Sequence, residues 1–219
     1  ETAPGTDWYQ AELADKVAPP ANYKSGEAIN KWWAEAGNAQ KEKAGAQTAL
    51  MPLYGQIVCI SWAFDDGQVT TLCGTNEHAL LSGFASVLQD SISPVDNLVW
   101  VGHNICGFDI PFLFLRAMVN DIRIPWLPGR NVKPWTPHVC DTLYEVAGTE
   151  FKGASLKNVA KVLGIQNPYH DEKDVTNNGE LVKSEEGRAQ LAQWCANDVR
   201  MTREIYRKLT GALPRDQEG

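Results

Sequence analysis

The sequence predicts an α/β domain with a mixed sheet flanked by helices. Three observations lead there. A hairpin pattern over 56–73 is followed by alternating helix and strand patterns. The chain ends in one long amphipathic helix. Its 219 residues, 43% hydrophobic and 21% charged, have the makeup of a globular protein. That length suits one domain, or one with a large insertion, and buries enough surface to fold without staples.

The elements follow in order. Residues 3–24 carry Pro4, Pro19 and Pro20 and little periodicity, which predicts a long loop. Residues 25–49 are rich in Ala, Glu, Lys and Gln behind a capping Ser25, which predicts a mostly exposed helix with apolar contact through Ile29, Trp32 and Trp33. Gln56–Phe64 reads as a strand, Asp65-Asp66-Gly67 as a tight turn, and Gln68–Cys73 as the antiparallel partner. Glu77–Leu88 is an amphipathic helix and Asn97–Gly102 a short buried strand. Asp109–Asn120 is a strongly apolar helix with Pro111 near its start, where proline is tolerated. Residues 121–137 hold four prolines and two tryptophans, an ordered loop. Ser155–Leu163 is a helix ended by Gly164, residues 168–184 are polar and loop-like, and Ser184–Leu209 is the last helix.

Composition excludes several classes. No apolar run reaches the ~20 residues that span a bilayer, and no signal-peptide pattern opens the chain. The five cysteines make no Cys-x-x-Cys pair, which predicts reduced thiols and a cytoplasmic protein. A net charge of -7 excludes a generally basic surface but not a local basic patch or an acidic site neutralised by metal. Phosphate-cradling glycine loops and the nucleophile elbow of hydrolases are absent. The four histidines lack ligand spacing, and His170-Asp171-Glu172-Lys173-Asp174 reads as a solvated charge run.

Carboxylates remain. On the last helix Leu191, Cys195, Asp198, Thr202, Ile205 and Leu209 share one stripe, so Asp198 lies within an apolar face. An ionised carboxylate there needs an ion pair, a hydrogen bond or a metal. Asp109 precedes an apolar helix, where it serves as an N-cap or, given Asn104 and Phe108 beside it, as part of a site. If metal is held, oxygen ligands imply a hard ion such as Mg²⁺ or Mn²⁺.

Together these strings resemble the DEDD 3′–5′ exonucleases, which are RNase H-like, and within them the branch related to the exonuclease domain of family B DNA polymerases. Pro52 through Trp62, Asn104 with Phe108-Asp109-Ile110-Pro111, Ser155-Leu156-Lys157 through Gly164, and Trp194-Cys195-Ala196-Asn197-Asp198 match in order. Glu1-Thr2 matches the second half of the family's Asp-x-Glu-Thr motif. The resemblance implies one RNase H-like exonuclease domain over 1–219, with a helical insertion at about 3–50. It also implies an upstream strand bearing the motif's Asp, so the native chain is expected to begin before Glu1.

The chemistry implied is hydrolysis of DNA from a single-stranded or frayed 3′ end by two Mg²⁺ or Mn²⁺ ions ~3.5–4 Å apart. Glu1, Asp109 and Asp198 would hold the ions. Thr2, Asn104 and Phe108 would contact the terminal nucleotides, and Arg116, Arg123, Arg130 and Lys133 would offer charge to phosphates. Trp194 stands where this branch has a water-orienting tyrosine. An indole N–H donates a hydrogen bond but accepts none, so slowed catalysis is expected. The alternative is a catalytically degenerate RNase H-like module that binds nucleic acid or protein.

Overall fold

The structure, a computed structural model, describes residues 1–93, 97–148, 152–169 and 177–212. The α/β class holds, but in place of one mixed sheet the described residues form three two-stranded sheets among many helices. The first element is β1 (Thr2–Pro4), followed by helix α1 (Asp7–Asp15). Both fall where a loop was expected. The reason lies in α1 itself: it buries no residue and has no apolar stripe, so its periodicity is silent. It is held by packing on α3 (Asn38–Ala46) and by Tyr9, whose ring stacks 3.6 Å from that of Tyr54. The expected helix over 25–49 is α2 (Gly26–Trp32) and α3 joined by a π-helical turn, Trp33–Gly37, with a 3₁₀ turn at Gln47–Leu50. Ser25 caps α2, accepting from the Ala28 amide at 3.1 Å.

The expected strand over 56–64 is two halves, β2 (Gly55–Ile57) and β3 (Cys59–Trp62). β2 pairs antiparallel with β1, Thr2 opposite Ile57, and β3 with β4 (Thr70–Cys73), Cys59 opposite Cys73. Between the halves lies a bulge: the Glu1 carbonyl accepts from the amides of both Val58 (3.0 Å) and Cys59 (3.2 Å). Two residues thus face one. Perfect alternation would send Ile57 and Ile60 to opposite faces. The extra residue puts both into the same core, with Leu80, Leu81, Phe84, Phe112 and Leu113. Val58 goes to the other face, with Ala3, Val182, Leu191 and Trp194.

The strands therefore lie between two helical layers. One is α4 (Glu77–Ser91) with α5 (Asp109–Val119); the other is α9 (Glu185–Ala212), which packs on β3, β4 and β5 (Trp100–Gly102). Each Leu, Ile or Phe buried there contributes about 1.5–3 kcal/mol, so the three layers are held mainly by this packing. Parallel to β5 runs β6 (Val139–Asp141), followed by α6 (Thr142–Ala147); neither was expected. Helix α7 (Leu156–Val162) is capped by Ser155 and ends with Gly164 at φ +69°, as its sequence predicts. Helix α8 (Asn178–Leu181) falls inside the expected loop over 168–184, and the His170–Asp174 charge run lies outside the described residues. Among the described residues no helix is long and apolar enough to cross a membrane.

Candidate functional site

The turn between β5 and α5 is built from residues 103–108. Asn104 has φ +66°, a left-handed conformation that asparagine tolerates better than most side chains. Its carbonyl accepts from the amides of Gly107 (3.1 Å) and Phe108 (2.9 Å), closing the turn. The carboxylate of Asp141, buried at the end of β6, accepts from the amides of Asn104 (2.8 Å), Cys106 (3.1 Å) and Leu143 (3.1 Å). One acid thus clasps the turn to the neighbouring strand and caps α6. Sequence reasoning missed Asp141, although Asp-Thr ahead of Leu-Tyr-Glu-Val is a helix-start signal. His103 adds two bonds, to Thr142 Oγ1 (3.0 Å) and to the Ala154 carbonyl (2.8 Å). Beside it opens a cleft of about 390 Å³ lined by His103, Asn104, Leu143, Gly153, Ala154 and Ser155. Small-molecule sites occupy ~300–1,000 Å³.

Asp109 is the first residue of α5 and not its cap; that position belongs to Phe108 at φ −130°, ψ −69°, which offers no side-chain cap. The Phe108 ring packs 4.8 Å from that of Phe112. Asp109 itself is exposed at its surface, although much protein mass surrounds it at longer range. Desolvation by that mass pushes its pKa up to about 7. The amino terminus and a backbone bond oppose the rise, and Cys195 and Asp141 add to it.

Glu1 approaches the same region. Its backbone nitrogen donates to the Cys59 carbonyl at 2.7 Å and lies 3.8 Å from Cys195 Sγ on α9. Its carboxylate accepts from Asn178 Nδ2 at 3.4 Å. Cys195 is hydrogen-bonded to Cys59, which lowers the Cys195 thiol to about 6 and raises that of Cys59. All five cysteines are free thiols, as expected, and Cys59, Cys73 and Cys195 meet at one place.

Asp198 is half-buried, one turn beyond Cys195 on the face that carries the fully buried Leu191 and Ile205. It borders a small pocket with Lys157, Asn167, Tyr169, Trp194 and Asn197. Asn197 Nδ2 donates to Asn167 Oδ1 at 2.9 Å, while Asn167 Nδ2 is buried with no hydrogen-bond partner among the described residues.

Three expected site residues are placed differently. Trp194 is 4% exposed and packs with Ala3, Val58, Val182 and Leu191, so it is a core aromatic that only borders the Asp198 pocket. Thr2 is buried in β1, its carbonyl bonded by Asn178 Nδ2 at 3.0 Å. Arg116 is also buried, so it offers no charge to a phosphate. It donates to both oxygens of Glu77 (Nε 2.9 Å, Nη2 2.7 Å), and Glu77 also accepts from the Ile57 amide and Asn120 Nδ2. This network joins α4, α5 and β2. Removing one partner of such a pair strands a buried charge at about 3–5 kcal/mol.

Asn104, Phe108 and Asp109 therefore share one turn, and Glu1 and Cys195 stand near its end. Among the described residues no three His, Cys, Asp or Glu side chains gather closely enough to hold a metal ion. No family model matches the chain, and no curated protein is significantly similar to it.

Proposed function

We propose that the chain is a metal-dependent 3′–5′ exonuclease of the RNase H-like DEDD type, acting on single-stranded or frayed DNA. The observation that carries this is Asp109: a surface-accessible carboxylate, surrounded by protein, whose pKa is raised to about 7. The one cation among the leading influences on it is the amino group of Glu1. Such a group gains most from a nearby cation, and oxygen donors suit Mg²⁺ or Mn²⁺. The resemblance of the ordered motifs supports the rest. Asp109, Glu1 and Asp198, which do not close into one cluster among the described residues, would be the ligands the resemblance implies, and bound ions would supply an activated water and neutralise charge at the phosphate. Asn104 lines the 390 Å³ cleft and shares a turn with Phe108 and Asp109, and the terminal nucleotide would be received there.

The burial of Trp194 favours a second reading, a non-catalytic module, because no tyrosine hydroxyl stands at that position to orient water. Metal binding separates the two. Calorimetric titration of Mn²⁺ into the protein should show binding that Asp109→Asn and Asp198→Asn each weaken. Unchanged binding in both variants would leave Asp109 a plain first-turn acid and sink the nuclease assignment.

A further inference from the structure

Residues 121–138 contain no helix or strand, yet they are firmly seated. Ile124 is buried in the core beneath α4 and α5, and Val132 is buried against Ile105 and Ile110. Trp100 Nε1 donates to the Trp126 carbonyl at 3.1 Å, and Thr136 Oγ1 accepts from the Lys133 amide at 2.9 Å. Asp121, Trp126 and His138 have φ of 53°, 60° and 66°. That region is costly for a tryptophan and persists only where packing enforces it.

The outward side of this arm is unusual. Trp135 is 71% exposed and Trp126 42%. Between and around them Arg123, Arg130 and Lys133 are exposed, and none forms an ion pair with a described residue. The segment holds these three cations and one acid, Asp121, in a chain whose net charge is -7. Exposed indoles interleaved with cations match a strand that offers unpaired bases and phosphates together. A duplex hides its bases from such platforms, and an acidic protein surface would use the cations without the indoles.

The arm also lies in the right place. Val132 packs on Ile105 and Ile110, which flank the Asn104–Asp109 turn, and Lys133 is close enough to act electrostatically on Cys106. The Trp135 ring meets that of Tyr144 at 6.1 Å on α6, beside Leu143, which lines the 390 Å³ cleft.

We propose that residues 121–138 form a guide for single-stranded nucleic acid. Trp135 and Trp126 stack on unpaired bases, and Arg123, Arg130 and Lys133 hold phosphates, leading the strand toward the cleft at Asn104. The destination of the strand rests on the nuclease reading; the binding itself does not.

The two are separated by measuring binding in EDTA and cleavage in Mn²⁺. The probe is a short fluorescent oligodeoxythymidylate, read by anisotropy with the full chain. Trp135→Ala should weaken binding roughly 5- to 150-fold, the span of one lost base stack. Arg130→Ala with Lys133→Ala should lower the slope of log affinity against log salt by about 1.4. Melting temperatures should stay at the parent value, since these side chains lie outside the core. A matched duplex should bind more weakly than the single strand. Equal affinity for Trp135→Ala and parent would overturn the guide even if cleavage is seen. So would equal affinity for duplex and single strand, or equally good competition by polyglutamate, which would make the arm a plain acid-binding surface. Loss of binding in the arm variants alongside no cleavage by any form would keep the guide and remove the nuclease.

Discussion

At the scale of single residues, Asp109 has a consequence that pH exposes. Its folded pKa is about 7, against an unfolded value near ~3.9. Between these two, the folded chain keeps a proton that the unfolded chain has released. Stability attached to this group therefore falls as pH rises from about 4 to about 7, then levels. Asp109→Asn removes the ionisation. The melting temperature of the variant should match the parent near pH 4 and exceed it increasingly up to pH 7. A difference that stays constant over that range would mean that the carboxyl titrates normally. Arg116 shows the opposite case at the same scale. Its sequence context reads as a basic residue free for phosphate, and burial against Glu77 is a tertiary fact that nothing within α5 announces.

At the scale of elements, legibility follows pattern strength. α5 and α9 carry apolar faces long enough to predict, and both appear within a few residues of their expected bounds. The hairpin of β3 and β4 is legible through Asp65-Asp66-Gly67, where Asp65 takes φ +43° and the Gly67 amide bonds the Phe64 carbonyl at 2.8 Å. The bulge at Val58–Cys59 is not legible as such. An apolar run hides which of its residues face which side, and only the neighbouring layers decide. β6 spans three residues and finds its partner at β5, about forty positions earlier, so no local signal marks it. The turn that carries Asn104 and Asp109 depends on this unannounced element through Asp141. Asp141→Ala leaves three amides without their acceptor, two of them in the turn. A loss of about 3 kcal/mol in denaturant unfolding is expected, together with faster hydrogen exchange at Asn104 and Cys106. Unchanged exchange there would show that the turn stands without the clasp.

At the scale of the whole molecule, the mixed α/β class was readable from element order. The gathering of the candidate residues was readable only in part. Asn104, Phe108 and Asp109 share a turn because they are neighbours in sequence. Glu1 reaches the region because the bulge receives its backbone, whereas Asp198 borders a separate small pocket with Lys157 and Asn167. Trp194, placed by motif spacing beside the acids, is claimed by the core between β1 and α9, since an indole buries more apolar surface than any pocket edge offers it. We propose that these acids serve hydrolysis of a nucleic-acid strand from its 3′ end. Single-stranded DNA labelled at its 5′ end, incubated with the protein and Mn²⁺, tests it most directly. The expected result is a ladder shortened from the 3′ end, slow because no tyrosine hydroxyl orients the water. EDTA and Asp109→Asn should each abolish it. Intact DNA with Mn²⁺ present, or a ladder that persists undiminished in Asp109→Asn, would contradict it.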